Sequence, residues 1–165
     1  MKIDTKRLTT LSVCIAAAMI LAFVESQIPA FIPIPGVKLG MANAATLFVI
    51  YRLGAKDAFT VSAMRVALSS LLFGNISSFL YAIAGALFSL GVMLLLKRCE
   101  KFSITAVSIA GGTAHNVAQI LVAMLILQTD VVIYYLPALL ISGIITGAAI
   151  GLISALLIKK LEGKV

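Results

Sequence analysis

Arg65 stands in the middle of an apolar stretch, Ala58–Phe73, in a chain of 165 residues that is 62% hydrophobic and 12% charged. A guanidinium keeps its proton, and holding it at mid-bilayer depth costs about 2.5–3.5 kcal/mol even on lenient insertion scales. Such a charge needs either a structural partner, Glu25 or helix carbonyls, or an anionic ligand in a polar cavity. Around it the sequence sets narrow polar stripes. Ser62, Arg65 and Ser69 recur at i, i+3, i+7, and Gly111, His115 and Gln119 share a face further on, with Asn116 on its flank. Asn43 and Thr46 mark another segment. Ser78, Tyr81, Gly85 and Ser89 align on one more, where small residues leave space for a ligand or a close backbone. The chemistry that suits this set is binding: Arg65 opposite an anionic group, with His115, Asn43 and Gln119 as orienting donors. His115 has no second histidine or acid in ligand spacing, so no metal is expected there. It serves as a neutral hydrogen-bonding group, to a ligand or between helices, and Asn116 and Gln119 have the same two options.

The elements that must position these groups are membrane helices, because so few charges cannot cover a soluble domain of this size. The pattern predicts one all-α polytopic domain over 1–165, with six spans at about 8–28, 40–53, 56–74, 76–97, 104–128 and 132–158. The second is short, about 21 Å against a ~30 Å hydrocarbon core. Charge placement supports it nonetheless. With both termini cytoplasmic, Lys2, Lys6, Arg7, Arg52, Lys56, Lys97, Arg98, Lys101, Lys159, Lys160 and Lys164 fall inside and only Lys38 outside. Treating 40–53 as re-entrant would invert every later helix and turn Lys97, Arg98 and Lys101 outward. The first span is expected to be an uncleaved anchor, since several apolar runs follow it. On this topology Arg65 and His115 lie at similar mid-membrane depth, Asn43 enters from outside, and Glu25 and Lys38 bracket the outer rim. The expected site is an outward-facing polar cavity.

Between the first two spans, Gln27–Lys38 holds three of the four prolines, which predicts a stiff extended loop, either a lid or a plain connector. Three faces carry small residues at four-residue spacing: Cys14, Ala18 and Ala22; Ala110, Ala114 and Ala118; Gly143, Gly147 and Gly151. They permit close helix crossing, within the bundle or with a partner. The net charge of +7 forms no continuous basic stripe, so nucleic acid is not an expected partner. Cys14 and Cys99 read as reduced packing residues. No GxxxxGK[ST] is present, and the six acids, Asp4, Glu25, Asp57, Glu100, Asp130 and Glu162, stand singly. Neither a P-loop, nor an acidic magnesium site, nor a paired-carboxylate centre can be built from them, so no catalytic residue and no cofactor is expected.

The stretch Pro35-Gly36-Val37-Lys38-Leu39-Gly40-Met41-Ala42-Asn43, followed by Arg65 and by Leu72-Phe73-Gly74, resembles a family of small bacterial membrane proteins called Gx transporters, also labelled heptaprenyl diphosphate synthase component I. That family in turn resembles the substrate-binding S components of energy-coupling factor transporters. The resemblance implies six helices, an outward pocket, a bacterial plasma-membrane location, and a first-helix AxxxA motif that meets a transmembrane coupling subunit driven by ATPases. Ala18 and Ala22 thereby become expected partner contacts. The other label implies a non-catalytic accessory role beside a prenyl diphosphate synthase or a membrane redox complex.

Overall fold

The computed structural model describes residues 5–27, 41 and 43–160, and among them every regular element is helical. In chain order these are α1 (Thr5–Gln27), α2 (Asn43–Arg52), α3 (Ala55–Phe73), α4 (Ile76–Arg98), α5 (Ile104–Leu127) and α6 (Leu136–Lys160), with a 3-10 segment, Asp130–Tyr135, leading into α6. Four stretches are long and apolar enough to cross a membrane: Thr5–Gln27, Ile76–Arg98, Ile104–Leu127 and the continuous Asp130–Lys160. These make it a multi-pass membrane protein. The other two helices fall short for different reasons. α2 has ten residues, roughly 15 Å of rise. α3 is 19 residues long but carries Lys56, Asp57 and Arg65.

Helix ends follow local chemistry. Asn75 Oδ1 accepts from Ser78 N at 2.8 Å and Ser103 Oγ from Ala106 N at 3.1 Å, capping α4 and α5. The last turns of α2, α4 and α6 hold Arg52, Lys97 with Arg98, and Lys159 with Lys160, cations set against the negative end of each dipole. The sixth span was expected to be helical from residue 132. Instead residues 130–135 wind as 3-10 and the α-helix begins at Leu136, where Pro137 fits a first turn that needs no N–H.

Two polar ties join helices at their ends. Arg7 Nε and Nη2 donate to Asp57 Oδ2 and Oδ1 at 3.0 and 2.8 Å, linking the starts of α1 and α3. Lys97 Nζ donates to the Ile50 carbonyl at 2.5 Å and lies 5.0 Å from the centroid of the Tyr51 ring, linking the ends of α4 and α2.

The most extensive packing is between α5 and its neighbours α4 and α6. Gly143, Gly147 and Gly151 form the α6 side of it: a β-carbon on Gly147 would stand 2.7 Å from Ile109 Cα, and one on Gly151 2.6 Å from Thr105 Cα. The facing residues on α5 are therefore Thr105, Ser108, Ile109 and Gly112. Ala18 and Ala22 are buried inside the fold on α1, which packs on α2 and α3. Both side chains are covered by the described residues of this chain.

Gly147→Leu should force α5 and α6 apart and lower the thermal unfolding midpoint in detergent, a loss of about 1–3 kcal/mol or more. Gly91 is the control, since it is exposed on α4 and a β-carbon there would meet nothing within 4 Å. Gly91→Ala should leave the midpoint unchanged or raised.

Candidate functional site

The site is built from side chains that α2, α3, α4 and α5 turn inward. α3 delivers Arg65 only 5% exposed, and α2 meets it with Asn43, whose Oδ1 accepts from Arg65 Nη2 at 3.2 Å. From α1, the buried Glu25 carboxylate exerts a Coulombic pull on the same guanidinium. From α5, His115 is buried within electrostatic reach of Arg65. The imidazole occupies space that Gly85 on α4 leaves open, since a β-carbon there would lie 2.6 Å from His115 Cε1. Arg65 is thus brought together with Asn43, His115 and Glu25, the last of which the sequence had set at the outer rim.

Asn116 and Gln119 are fully buried beside His115 on α5. Asn116 Nδ2 donates to the Leu139 carbonyl of α6 at 2.6 Å, so this residue acts at least in part between helices. Tyr81, expected to join the site, packs in an apolar cluster with Ile120, Ala123, Val132 and Leu139. Lys38, and nearly all of the proline-containing loop, lie outside the described residues.

The electrostatic character of the site comes from what its atoms leave unmet. Asn43 Nδ2, Thr46 Oγ1, Arg65 Nε, Ser89 Oγ, His115 Nδ1, Asn116 Oδ1 and both amide ends of Gln119 have no hydrogen-bond partner among the described residues. A buried group left so costs about 1–3 kcal/mol. Donors (Arg65, Asn43, Gln119) and acceptors (Asn116, Gln119, His115 Nδ1 in one tautomer) are mixed, which suits a polar guest with an anionic end. A cavity of about 10 Å³, walled by Asn43, Ser108, Thr146 and Ile150 among others, opens beside Asn43. Among the described residues no three His, Cys, Asp or Glu side chains come together in a metal-ligating group.

Sequence reasoning missed three features. Ser108 and Ser154 are buried. The Arg7–Asp57 pair spans 50 residues of sequence that no local pattern connects. A larger apolar groove of about 470 Å³ lies between α1, α2 and α6. Its walls are ordinary lipid-compatible residues, which give no sequence signal.

A bundle of apolar helices around a buried guanidinium and unmet amides defines a multi-pass membrane protein with a polar interior. A family model described as heptaprenyl diphosphate synthase component I matches residues 14–157, and the chain belongs to that family. The description names a component of a synthase, which suggests an accessory subunit in place of a catalytic one. No curated protein and no solved structure matches the chain.

If Glu25 balances the Arg65 charge, the pair is energetically coupled. A double-mutant cycle with Arg65→Gln and Glu25→Gln, read by thermal unfolding, should give a coupling of about 0.5–3 kcal/mol. Additive single effects would mean that Glu25 serves another group.

Proposed function

We propose that this protein is the membrane substrate-binding subunit of a transporter, similar to the S components of energy-coupling factor systems. It binds a small anionic or amphipathic molecule, of the kind of a vitamin, flavin, or quinone or isoprenoid precursor, at a bacterial plasma membrane. The observation that carries this reading is the buried Arg65 with unmet hydrogen-bonding atoms around it. A fixed cation at depth is costly as a mere strut and useful as a ligand anchor. Arg65 neutralises the anionic group, while Asn43, His115, Gln119 and Asn116 orient the rest. Lys38, Glu25 and Tyr81 belong to the same proposal, as rim or wall. Transport would be driven by partner ATPases through a coupling subunit.

The topology that goes with it has six spans and both termini cytoplasmic. Two contacts support this parity: Arg7–Asp57 joins two helix starts and Lys97–Ile50 two helix ends, and each pair falls on the cytoplasmic side of that arrangement. A second reading has one specific observation in its favour. The family description favours a non-catalytic accessory protein of prenyl diphosphate or quinone synthesis.

Purified wild type should gain several degrees in unfolding midpoint from one member of a panel of riboflavin, flavin mononucleotide, 4-hydroxybenzoate and farnesyl diphosphate, and Arg65→Gln should lose most of that gain. An equal response in the variant removes Arg65 from the site. Pull-down from the native membrane separates the two readings: ATPase and coupling subunits favour transport, a prenyl diphosphate synthase the accessory role. For topology, exposed Cys99 at the end of α4 should react with a membrane-impermeant maleimide in inside-out vesicles and not in intact cells, with buried Cys14 silent in both.

A further inference from the structure

The groove of about 470 Å³ has α2 as its floor, through Ala44 and Phe48, and α1 and α6 as its sides, through Ala17, Leu21, Ala149 and Ile153. α1 and α6 each pack on α2 and have little or no direct packing on each other, so the groove runs between them. Its surface is almost wholly apolar, and Thr146 turns its hydroxyl to the Ser142 carbonyl of its own helix. An apolar cleft facing hydrocarbon could be filled by any lipid; its position makes it specific. Thr146 and Ile150 wall both this groove and the small cavity that Asn43 lines. Asn43 holds Arg65 through Oδ1, and its Nδ2, like Arg65 Nε, has no partner among the described residues. The next residues on α2, Ala44 and Ala45, already line the groove. The apolar space is thus separated by one wall of α6 and one turn of α2 from Asn43, the residue that accepts from Arg65.

Volume decides between occupants. A helix is about 10–12 Å across and would occupy on the order of 1,400 Å³ over the ~15 Å length of α2, so it could only graze the mouth. A cavity of about 150 Å³ already takes a benzene ring. On that scale the groove has room for one chain of roughly fifteen to twenty carbons.

We infer that the α1–α2–α6 groove takes the single hydrocarbon chain of an amphiphile whose anionic head, carboxylate or phosphate, is held by Arg65 and Asn43. This rests on the ligand-binding reading above and specifies its substrate class. The ligand reaches the site from the bilayer, with its chain lying along α2. Because lipid tails are as apolar as the groove, the chain contributes by position: it holds the head beside Arg65 at high effective concentration, an advantage lost when the chain is absent or excluded. The groove gives the head its address, and Arg65 supplies the discrimination.

The test uses full-length protein in phosphatidylcholine nanodiscs, titrated with hexadecyl phosphate and, from the aqueous side, with methyl phosphate. Hexadecyl phosphate should bind saturably at one per chain. Ala149→Trp and Ala17→Trp replace exposed groove residues, so the core is left intact, and each should weaken that binding at least ten-fold. Arg65→Gln should weaken it as much, and methyl phosphate should bind at least ten-fold more weakly than the long-chain probe. If methyl phosphate binds as well and the tryptophan variants change nothing, the chain site is wrong while Arg65-dependent ligand binding stands. If hexadecyl phosphate binds but Arg65→Gln has no effect, the anchored-head assignment is overturned. If neither phosphate binds, this inference falls, and the ligand panel above decides the broader reading separately. If Ala149→Trp instead releases a co-purifying protein and leaves amphiphile binding unchanged, the groove is a protein interface and the inference is overturned.

Discussion

A guanidinium that cannot shed its proton, placed where water is scarce, constrains the rest of this fold. Lysine could lose its charge when buried; Arg65 cannot, so its surroundings must supply compensation. They do so from two directions: a neutral amide oxygen on α2 and a carboxylate on α1. That requirement explains why α2 is present although it is too short to cross a membrane by itself. Its first residue is Asn43, the direct partner of Arg65, and its last turn is tied down by Lys97. The helix is held at both ends by polar bonds from its neighbours, which offsets the apolar surface that a longer span would bury.

The α4–α5–α6 side is organised differently. There the interaction is contact between backbones, made possible by Gly143, Gly147 and Gly151, with Asn116 bonding to the Leu139 carbonyl across α5 and α6. In lipid, helices gain nothing from the hydrophobic effect on meeting each other, so dispersion at short range and a few hydrogen bonds must supply the attraction. The α1–α2–α3 side has its own apolar core, in which Leu47, Val49 and Ile50 of α2 meet Ala58 and Val61 of α3 and Cys14 of α1. A groove persists between α1 and α6 because each packs on α2 and they have little or no direct packing on each other.

Helix order and the polar interior were legible in the sequence because both depend on periodicity along one segment: Ser62, Arg65 and Ser69 share a face whatever surrounds them. The pairing between segments was not legible. Which α5 face meets α6 depends on where glycines on α6 admit Thr105 and Ile109, and the alanine row at 110, 114 and 118 offered an equally good pattern. Ala18 and Ala22 mark a close crossing, and small residues alone do not say whose helix crosses. Arg7 and Asp57 read as a topology signal and an isolated acid, since 50 intervening residues hide their pairing. Tyr81 fell on the polar stripe of α4 by spacing, yet an aromatic ring is also good apolar filler, and its neighbours are Ile120 and Leu139.

The groove was invisible for a related reason. A lipid-facing alanine and a groove-lining alanine are the same residue until α1, α2 and α6 are assembled. What distinguishes Ala17 and Ala149 is the short helix between them. A full-length α2 of larger side chains would fill the cleft. A ten-residue α2 with Ala44 and Ala45 in its first turn leaves it open next to Asn43. The short span that satisfies Arg65 thereby also creates apolar space beside it. Charge and hydrocarbon volume then become adjacent through one structural cause, and a guest that matched only one of them would leave the other unused.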